Sequence, residues 1–282
     1  MPMGVGILEE HQTPTNVYLI EYLLLVSVVG MISTCAFKSA QSPKKLIAAM
    51  GVAGRRVAKA VREIERKTFH MAGLLVPLTH QLLLRNGVTN SNCARLCWAI
   101  TVIGVTADFA RLRVDVVRRN WPMARILRED EKNKLTGGSS FSLGCTLAIA
   151  ISPPSIAMAS VLFLVLGDMS AAIIGVSFGQ ETVSIKLGRH GKKSMEGSVA
   201  MFVVCFVVGS TIFASVHLRE YPVFFGALAA TLTEVYEPLG LNDNLTIPVF
   251  TSIALQWGFA RISSCGAQPP LEWLKEAWLA LR

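Results

Sequence analysis

Long apolar runs alternate with short polar segments along most of the chain. The runs cover about 17–37, 69–86, 93–110, 139–152, 155–178, 198–217, 221–236 and 245–262. Each is roughly the length that crosses the hydrocarbon of a bilayer, where runs this long favour helices that satisfy their own backbone hydrogen bonds. The pattern predicts an all-α, polytopic integral membrane protein with about eight transmembrane helices, within a range of seven to nine.

The composition agrees with a membrane protein. Of the 282 residues, 52% are hydrophobic and 16% are charged, whereas a soluble domain has about 25% charged residues. Because the runs leave no room for a soluble domain, we expect one transmembrane domain over residues 65–262. A span with a basic segment precedes it over residues 1–64, and a tail follows over residues 263–282.

Positive charge is concentrated between particular runs. The net charge is +8, and the segments 38–67, 111–134 and 179–197 contain most of the Lys and Arg residues. With eight spans these segments fall on the same side of the membrane, and the positive-inside rule makes that side cytoplasmic. A basic inner face would also attract anionic headgroups or nucleotides, although setting the topology explains most of these charges.

Unusual polar residues gather at the predicted cytoplasmic ends of the runs. Asp168 lies inside an apolar stretch, between "SVLFLVLG" and "MSAAIIG", where a carboxylate suggests a functional site. Downstream, "GRHGKKSMEGSVA" interrupts two apolar runs with Lys192, Lys193 and Ser194 among glycines. Lysines suit phosphates, and Ser194 can cap a helix whose first N–H groups bind anions. An acid that holds Mg²⁺ beside this loop indicates a triphosphate site; a buried packing acid and a solvated connector are the alternatives.

Four blocks of the sequence resemble the CTP-using lipid kinases, the superfamily of dolichol kinase, phytol kinase and the CTP-dependent diacylglycerol kinase of fungi. "GDMSAAIIGVSFG" followed by "KKSMEGSVA" is similar to the signature of that superfamily. "ERKTFHMAGLL", "KLTGGSSFSLG" and "TEVYEPLGLNDNLTIPV" are similar to its other blocks, in the same order. The resemblance covers about residues 65–250, and the compact chain and its "DNLTIPV" block are most similar to the diacylglycerol kinase branch.

The resemblance implies phosphorylation of a membrane lipid alcohol, most closely diacylglycerol, with CTP as donor and Mg²⁺ or another divalent cation. It also implies the cytoplasmic face of the endoplasmic reticulum, with the nuclear envelope, or a plastid envelope for a phytol kinase, as alternatives. The implied nucleotide-binding residues are Arg66, Lys67, Lys132, Gly167, Lys192, Lys193, Ser194, Glu196 and Gly197. The implied catalytic residues are Asp168, His70 and Glu234, of which His70 or Glu234 would accept the hydroxyl proton. The implied metal-binding residues are Asp168, Asp243 and Asn244.

Other functions stay open at this point. A phytol or polyprenol kinase would carry the same blocks, and a CDP-lipid-forming cytidylyltransferase would use CTP and Mg²⁺ but attack the α-phosphate. A transporter would also have an intramembrane acid among glycine-broken helices, but we find no inverted repeat and the polar residues gather at one face. A membrane lipid and a nucleotide are the expected partners, and nucleic acid is not.

Overall fold

The computed structural model describes residues 71–121, 130–178, 186–188 and 193–264. Helices dominate these residues and confirm the predicted all-α class. They are α1 (Leu75–Arg85), α2 (Asn90–Arg113), α3 (Asp115–Arg119), α4 (Gly137–Ile151), α5 (Pro154–Leu162), α6 (Asp168–Phe178), α7 (Met195–Ile212), α8 (Glu220–Tyr236) and α9 (Asp243–Ser264). Short 3₁₀ turns cover Ala72–Leu74, Asp130–Asn133 and Pro238–Gly240. An antiparallel strand pair, β1 (Lys186–Leu187) and β2 (Lys193–Ser194), was not predicted.

Within the described residues, three helices are long and apolar enough to cross a membrane. They are α2, α7 and the continuous helix Pro154–Phe178, in which a π-helical turn, Phe163–Gly167, joins α5 to α6. Helix α4 is apolar but shorter. The predicted runs 69–86, 221–236 and 245–262 coincide with α1, α8 and α9. The run 17–37 lies outside the described residues. The chain is therefore a membrane protein, and the predicted count of eight spans is not confirmed.

Short polar side chains start several of these helices. The hydroxyl oxygens of Thr89, Thr136 and Ser194 each accept a hydrogen bond from the backbone N–H three residues later, at the starts of α2, α4 and α7. Such caps satisfy N–H groups that have no partner inside the helix. The cap predicted for Ser194 is confirmed.

The helix Pro154–Phe178 lies at the centre of the molecule. Residues of α5 and the π turn, such as Ile156, Leu162, Phe163 and Leu164, have no exposed surface. This segment contacts α7, α8 and α9. A helix that is apolar on all sides is stable only when neighbouring elements cover it. Because α5 and the π turn are packed on several sides, α6, which follows them, begins in a fixed position.

Glycines let the helices around the candidate residues approach one another closely. A Cβ atom on Gly197 of α7 would lie 2.7 Å from the carbonyl oxygen of Ala171 in α6, and one on Gly144 of α4 would lie 2.6 Å from the carbonyl oxygen of Asn244 in α9. Both distances are shorter than real contacts. The close packing of α6 on α7 and of α4 on α9 therefore requires glycine at these two positions, as is common at helix crossings in membranes.

Candidate functional site

A lysine and two carboxylates form the centre of the candidate site. Lys193 Nζ donates a hydrogen bond to Glu234 Oε1 at 2.5 Å and lies 3.9 Å from Asp243 Oδ2. Lys193 belongs to β2, Glu234 lies in the last turn of α8, and Asp243 begins α9. The cluster therefore joins segments that are distant in the sequence.

Asp168 belongs to the same electrostatic cluster. It is the first residue of α6, directly after the π turn, and only 4% of it is exposed. Burial by itself would lower the pKa of Lys193, but the charges of Glu234, Asp243 and Asp168 outweigh it and hold the pKa above its ordinary value. Lys193 therefore stays protonated over the physiological range and can hold a carboxylate and a phosphate together.

One oxygen of Glu234 is buried and lacks a hydrogen-bond partner within the described part of the chain. This oxygen is Oε2, whereas Oε1 is held by Lys193. An unpaired buried carboxylate oxygen is unfavourable, so its position suits a proton donor or a cation brought by a ligand.

The acids fit a magnesium ion that arrives with a nucleotide. Among the described residues, no three His, Cys, Asp or Glu side chains are placed to hold a metal ion by themselves. Mg²⁺, however, commonly binds one or two carboxylates and completes its octahedron with phosphate oxygens and water. Asp168 and Asp243 are carboxylates of this kind.

Several helices begin beside the cluster. Helices α6 and α9 begin at its acids, and α7 begins directly after the Ser194 cap. Asn244 Nδ2 donates a hydrogen bond to the carbonyl oxygen of Gly137 at 3.3 Å, which ties the start of α9 to the start of α4. Because the N–H groups at a helix start attract anions, this arrangement suits a polyphosphate.

The other described candidates are Glu196, Gly167 and Lys132. Glu196 lies in the first turn of α7, and its Oε2 has no hydrogen-bond partner among the described residues. A Cβ atom on Gly167 would lie 2.6 Å from Cys205 Sγ, so this glycine allows the π turn to pack on α7. The side chain of Lys132 is exposed.

Four candidates cannot be placed relative to this cluster. Arg66, Lys67, His70 and Lys192 lie outside the described residues. Their roles stay predictions.

A buried ion pair in the last turns of α2 was not predicted from the sequence. Arg111 Nε donates to Asp108 Oδ1 at 2.8 Å, and both residues are 1% exposed. Arg111 lies in the basic segment 111–134, whose charges the positive-inside rule assigns to the membrane topology. The signal was present, because an acid three residues before an arginine at the end of an apolar run is typical of a paired intramembrane charge.

Comparison with known proteins finds kinases among the relatives. The chain is 31% identical over 166 residues to CTP-dependent diacylglycerol kinase 1 of Schizosaccharomyces pombe, an alignment that covers 50% of this chain and 72% of that protein. It is 24% identical over 222 residues to CTP-dependent diacylglycerol kinase 1 of Saccharomyces cerevisiae, with 68% and 71% covered. An uncharacterized protein of Rickettsia prowazekii is 28% identical over 198 residues, with 66% and 90% covered. No protein-family model and no solved structure matches the chain.

Proposed function

The chain belongs to the family of CTP-dependent lipid kinases, and from this premise we propose that it transfers the γ-phosphate of CTP to diacylglycerol and forms phosphatidate. Diacylglycerol is the acceptor in the names of the kinase relatives. The observation that carries the proposal is the partly buried cluster of Lys193, Glu234 and Asp243, with Asp168 beside it. Phosphoryl transfer requires such a set of groups, because it depends on positioning and charge stabilisation.

Lys193 and the start of α7 bind the phosphates in this proposal. The ammonium group of Lys193 lies against Glu234, and the next residue, Ser194, caps the start of α7 by accepting a hydrogen bond from the N–H of Gly197. We assign Asp168 and Asp243, with Asn244 beside them, to the magnesium ion. When bound, Mg²⁺ would neutralise the charge that develops on the phosphate oxygens.

Glu234 accepts the proton of the lipid hydroxyl. Lys193 anchors Oε1, and Oε2 has no other described partner. As the lipid oxygen bonds to the γ-phosphorus, the bond from that phosphorus to the β–γ bridging oxygen breaks, CDP leaves, and the hydroxyl proton moves to Oε2. His70, which lies outside the described residues, is the other candidate acceptor.

We propose the cytoplasmic face of the endoplasmic reticulum as the place of the reaction. The cluster lies where α8 ends and where α7 and α9 begin, and the predicted basic segments share that side. A site at the ends of membrane helices allows a hydroxyl in the bilayer to meet a nucleotide in water. The nuclear envelope is the alternative location, and a plastid envelope would apply to a phytol kinase.

Product analysis tests the proposal. The full chain, purified in detergent, is incubated with Mg²⁺, with CTP labelled at the γ- or the α-phosphate, and with diacylglycerol, phytol or dolichol in parallel. We expect γ-label in phosphatidate and α-label in CDP. Phosphorylated phytol or dolichol would assign another lipid alcohol, pyrophosphate with a CDP-lipid would indicate a cytidylyltransferase, and no product with any lipid would favour a transporter.

A further inference from the structure

The buried pair of Asp108 and Arg111 makes further hydrogen bonds to one short segment. Asp108 Oδ2 accepts hydrogen bonds from the backbone N–H of Thr136 and from Ser139 Oγ, both at 2.7 Å. Its other oxygen accepts from Arg111. Both oxygens of this carboxylate are therefore occupied, and one of them holds the start of α4.

Arg111 holds the earlier part of the same segment, at Lys132 and Lys134. Its Nη2 donates to the carbonyl oxygen of Lys134 at 2.7 Å, and its Nη1 donates to that of Lys132 at 3.3 Å. The guanidinium carbon lies 5.7 Å from the centre of the Trp121 ring. A guanidinium is rigid and planar, so it fixes the two carbonyl groups relative to each other.

Stability alone does not explain the use of charges here. A buried ion pair is often no more stabilising than an apolar pair of similar volume, because both ions must leave water. The hydrogen bonds of this pair reach the backbone of residues 132–136, which form a turn and a helix start. The pair therefore determines where that backbone lies.

The fixed segment continues directly into the proposed nucleotide site. Gly137, the first residue of α4, accepts the hydrogen bond from Asn244. Asn244 follows Asp243, which lies 3.9 Å from Lys193 Nζ. The side chains of Lys132 and Lys134, in contrast to Arg111, are exposed.

We infer that Asp108 and Arg111 are positioning residues for the nucleotide: they fix residues 132–139 so that Lys132, Lys134 and the start of α4 meet the phosphates of CTP. The inference rests on the proposed nucleotide site and does not depend on which lipid is phosphorylated. It assigns the pair to nucleotide affinity and not to the binding of the lipid.

Replacing both members of the pair provides the main test. Asp108→Leu together with Arg111→Met removes both charges and keeps an apolar contact, a replacement that buried ion pairs often tolerate. Thermal unfolding in detergent checks that the variant is folded. Binding of radiolabelled CTP with Mg²⁺ is measured on the full chain in detergent without lipid. We expect the Kd for CTP to rise about tenfold or more, as for the loss of at least one charge-assisted contact, and the KM for CTP to rise while the KM for diacylglycerol stays unchanged.

A matched control removes another polar contact from the same helix pair. Thr101 and Thr146 are buried between α2 and α4 and share a hydrogen bond of 2.7 Å, away from residues 132–139. Thr101→Val with Thr146→Val is expected to leave the Kd for CTP unchanged. An equal rise in both double variants would overturn the inference, because it would show a general effect of loosening α2 from α4.

A milder variant covers the case in which the double replacement does not fold. Arg111→Lys keeps the charge but loses the planar fork, so we expect a smaller rise in the Kd for CTP than in the double variant. An unchanged Kd in either variant overturns the inference. If the wild-type chain binds CTP but does not phosphorylate diacylglycerol, the proposed lipid is wrong, and the same binding comparison still decides the role of the pair.

Discussion

Lys193 contacts Glu234 through one carboxylate oxygen, so the two oxygens of Glu234 have different surroundings. Oε1 accepts the hydrogen bond, and Oε2 is buried without a described partner. An arginine at this position would tend to occupy both oxygens at once. The lysine therefore orients the carboxylate and leaves one oxygen available to the reaction.

Replacing Glu234 by glutamine tests these different roles of its two oxygens. The amide oxygen still accepts a hydrogen bond from Lys193, but the side chain can no longer take a proton. We expect kcat to fall by about 10²- to 10⁴-fold, the usual contribution of a general base, while the KM for CTP changes little. Glu237→Gln, three residues further on, is the matched control and is expected to keep wild-type rates. A kcat within a factor of ten of wild type would assign the proton to another acceptor.

Asp168→Asn tests the proposed metal-binding acid. The substitution keeps the volume and the hydrogen-bonding capacity of this buried residue and removes its charge. We expect phosphoryl transfer to be abolished while the protein remains folded in the membrane, as checked by its yield and thermal unfolding in detergent. Ser170→Ala, which removes a hydroxyl bonded at 2.7 Å to the carbonyl oxygen of Gly167 in the same helix turn, should stay active. If the Asn variant keeps even a tenth of the wild-type rate, Asp168 is a packing residue.

At the scale of elements, the short strand pair is held between two helices. Gly188, which follows β1 and has a φ of 84°, lies so close to α8 that a Cβ atom on it would be 2.6 Å from the carbonyl oxygen of Val235. On the other side, Gly175 of α6 lies against the Ser194 cap. Because Lys193 pairs in β2 with Leu187, its backbone position follows from these two contacts.

The crossing of α6 and α7 predicts different results for two glycine-to-alanine changes. In Gly197→Ala, the new Cβ atom would meet the backbone of Ala171 at 2.7 Å, so α7 and the adjoining Lys193 must shift. We expect destabilisation by about 1–3 kcal/mol and a clear loss of kinase activity. Gly104→Ala in α2, where no described atom lies within 4 Å of the Cβ position, should leave both unchanged. Thermal unfolding and specific activity in detergent are the measurements. Equal effects at both positions would contradict the close contact between α6 and α7 at Gly197.

At the scale of the whole molecule, the positions of the long helices in the described part of the chain were accessible from the sequence. The apolar runs determine where helices form, since runs this long favour helices, which satisfy their own backbone hydrogen bonds in lipid. The approach of Lys193, Glu234 and Asp243 to one another was also expected in outline, because each lies at the same predicted end of its run.

Other features could not be derived from the pattern of residues. The partner of Lys193 is chosen by packing between α7, α8 and α9, which no local spacing determines. The π turn before Asp168 lies in an apolar run, in which hydropathy does not distinguish one helical winding from another. The role of Arg111 depends on carbonyl groups more than 20 residues away, so its charge alone suggested only topology.

The membrane topology is testable on the intact protein. We expect the segments 38–67, 111–138 and 179–197 to face the cytoplasm, because they contain most of the positive charge. In a variant without native cysteines, Lys45→Cys, Arg119→Cys and Arg189→Cys are labelled one at a time with a reagent that does not cross the membrane. Asn86→Cys, between α1 and α2, should label only from the opposite side. Luminal labelling of any of the first three positions would contradict the eight-span arrangement.

The direction in which Asp168 points depends on how many residues of the central helix precede it, as well as on the composition of that helix. Each residue of an α-helix advances about 100° around the axis, and a π turn inserts a residue without lengthening the helix by a full step. Deleting one residue between Phe163 and Gly167 would remove this extra residue, so the segment could wind as a regular α-helix and Asp168 would keep about its present direction relative to α5. Deleting a residue from the regular part of α5 would instead rotate Asp168 and Gly175 by about 100°. The helix would remain apolar and long enough to span the bilayer, yet its acid would be turned relative to Lys193. The number of residues between Pro154 and Asp168 is thus as much a part of the site as the acid itself.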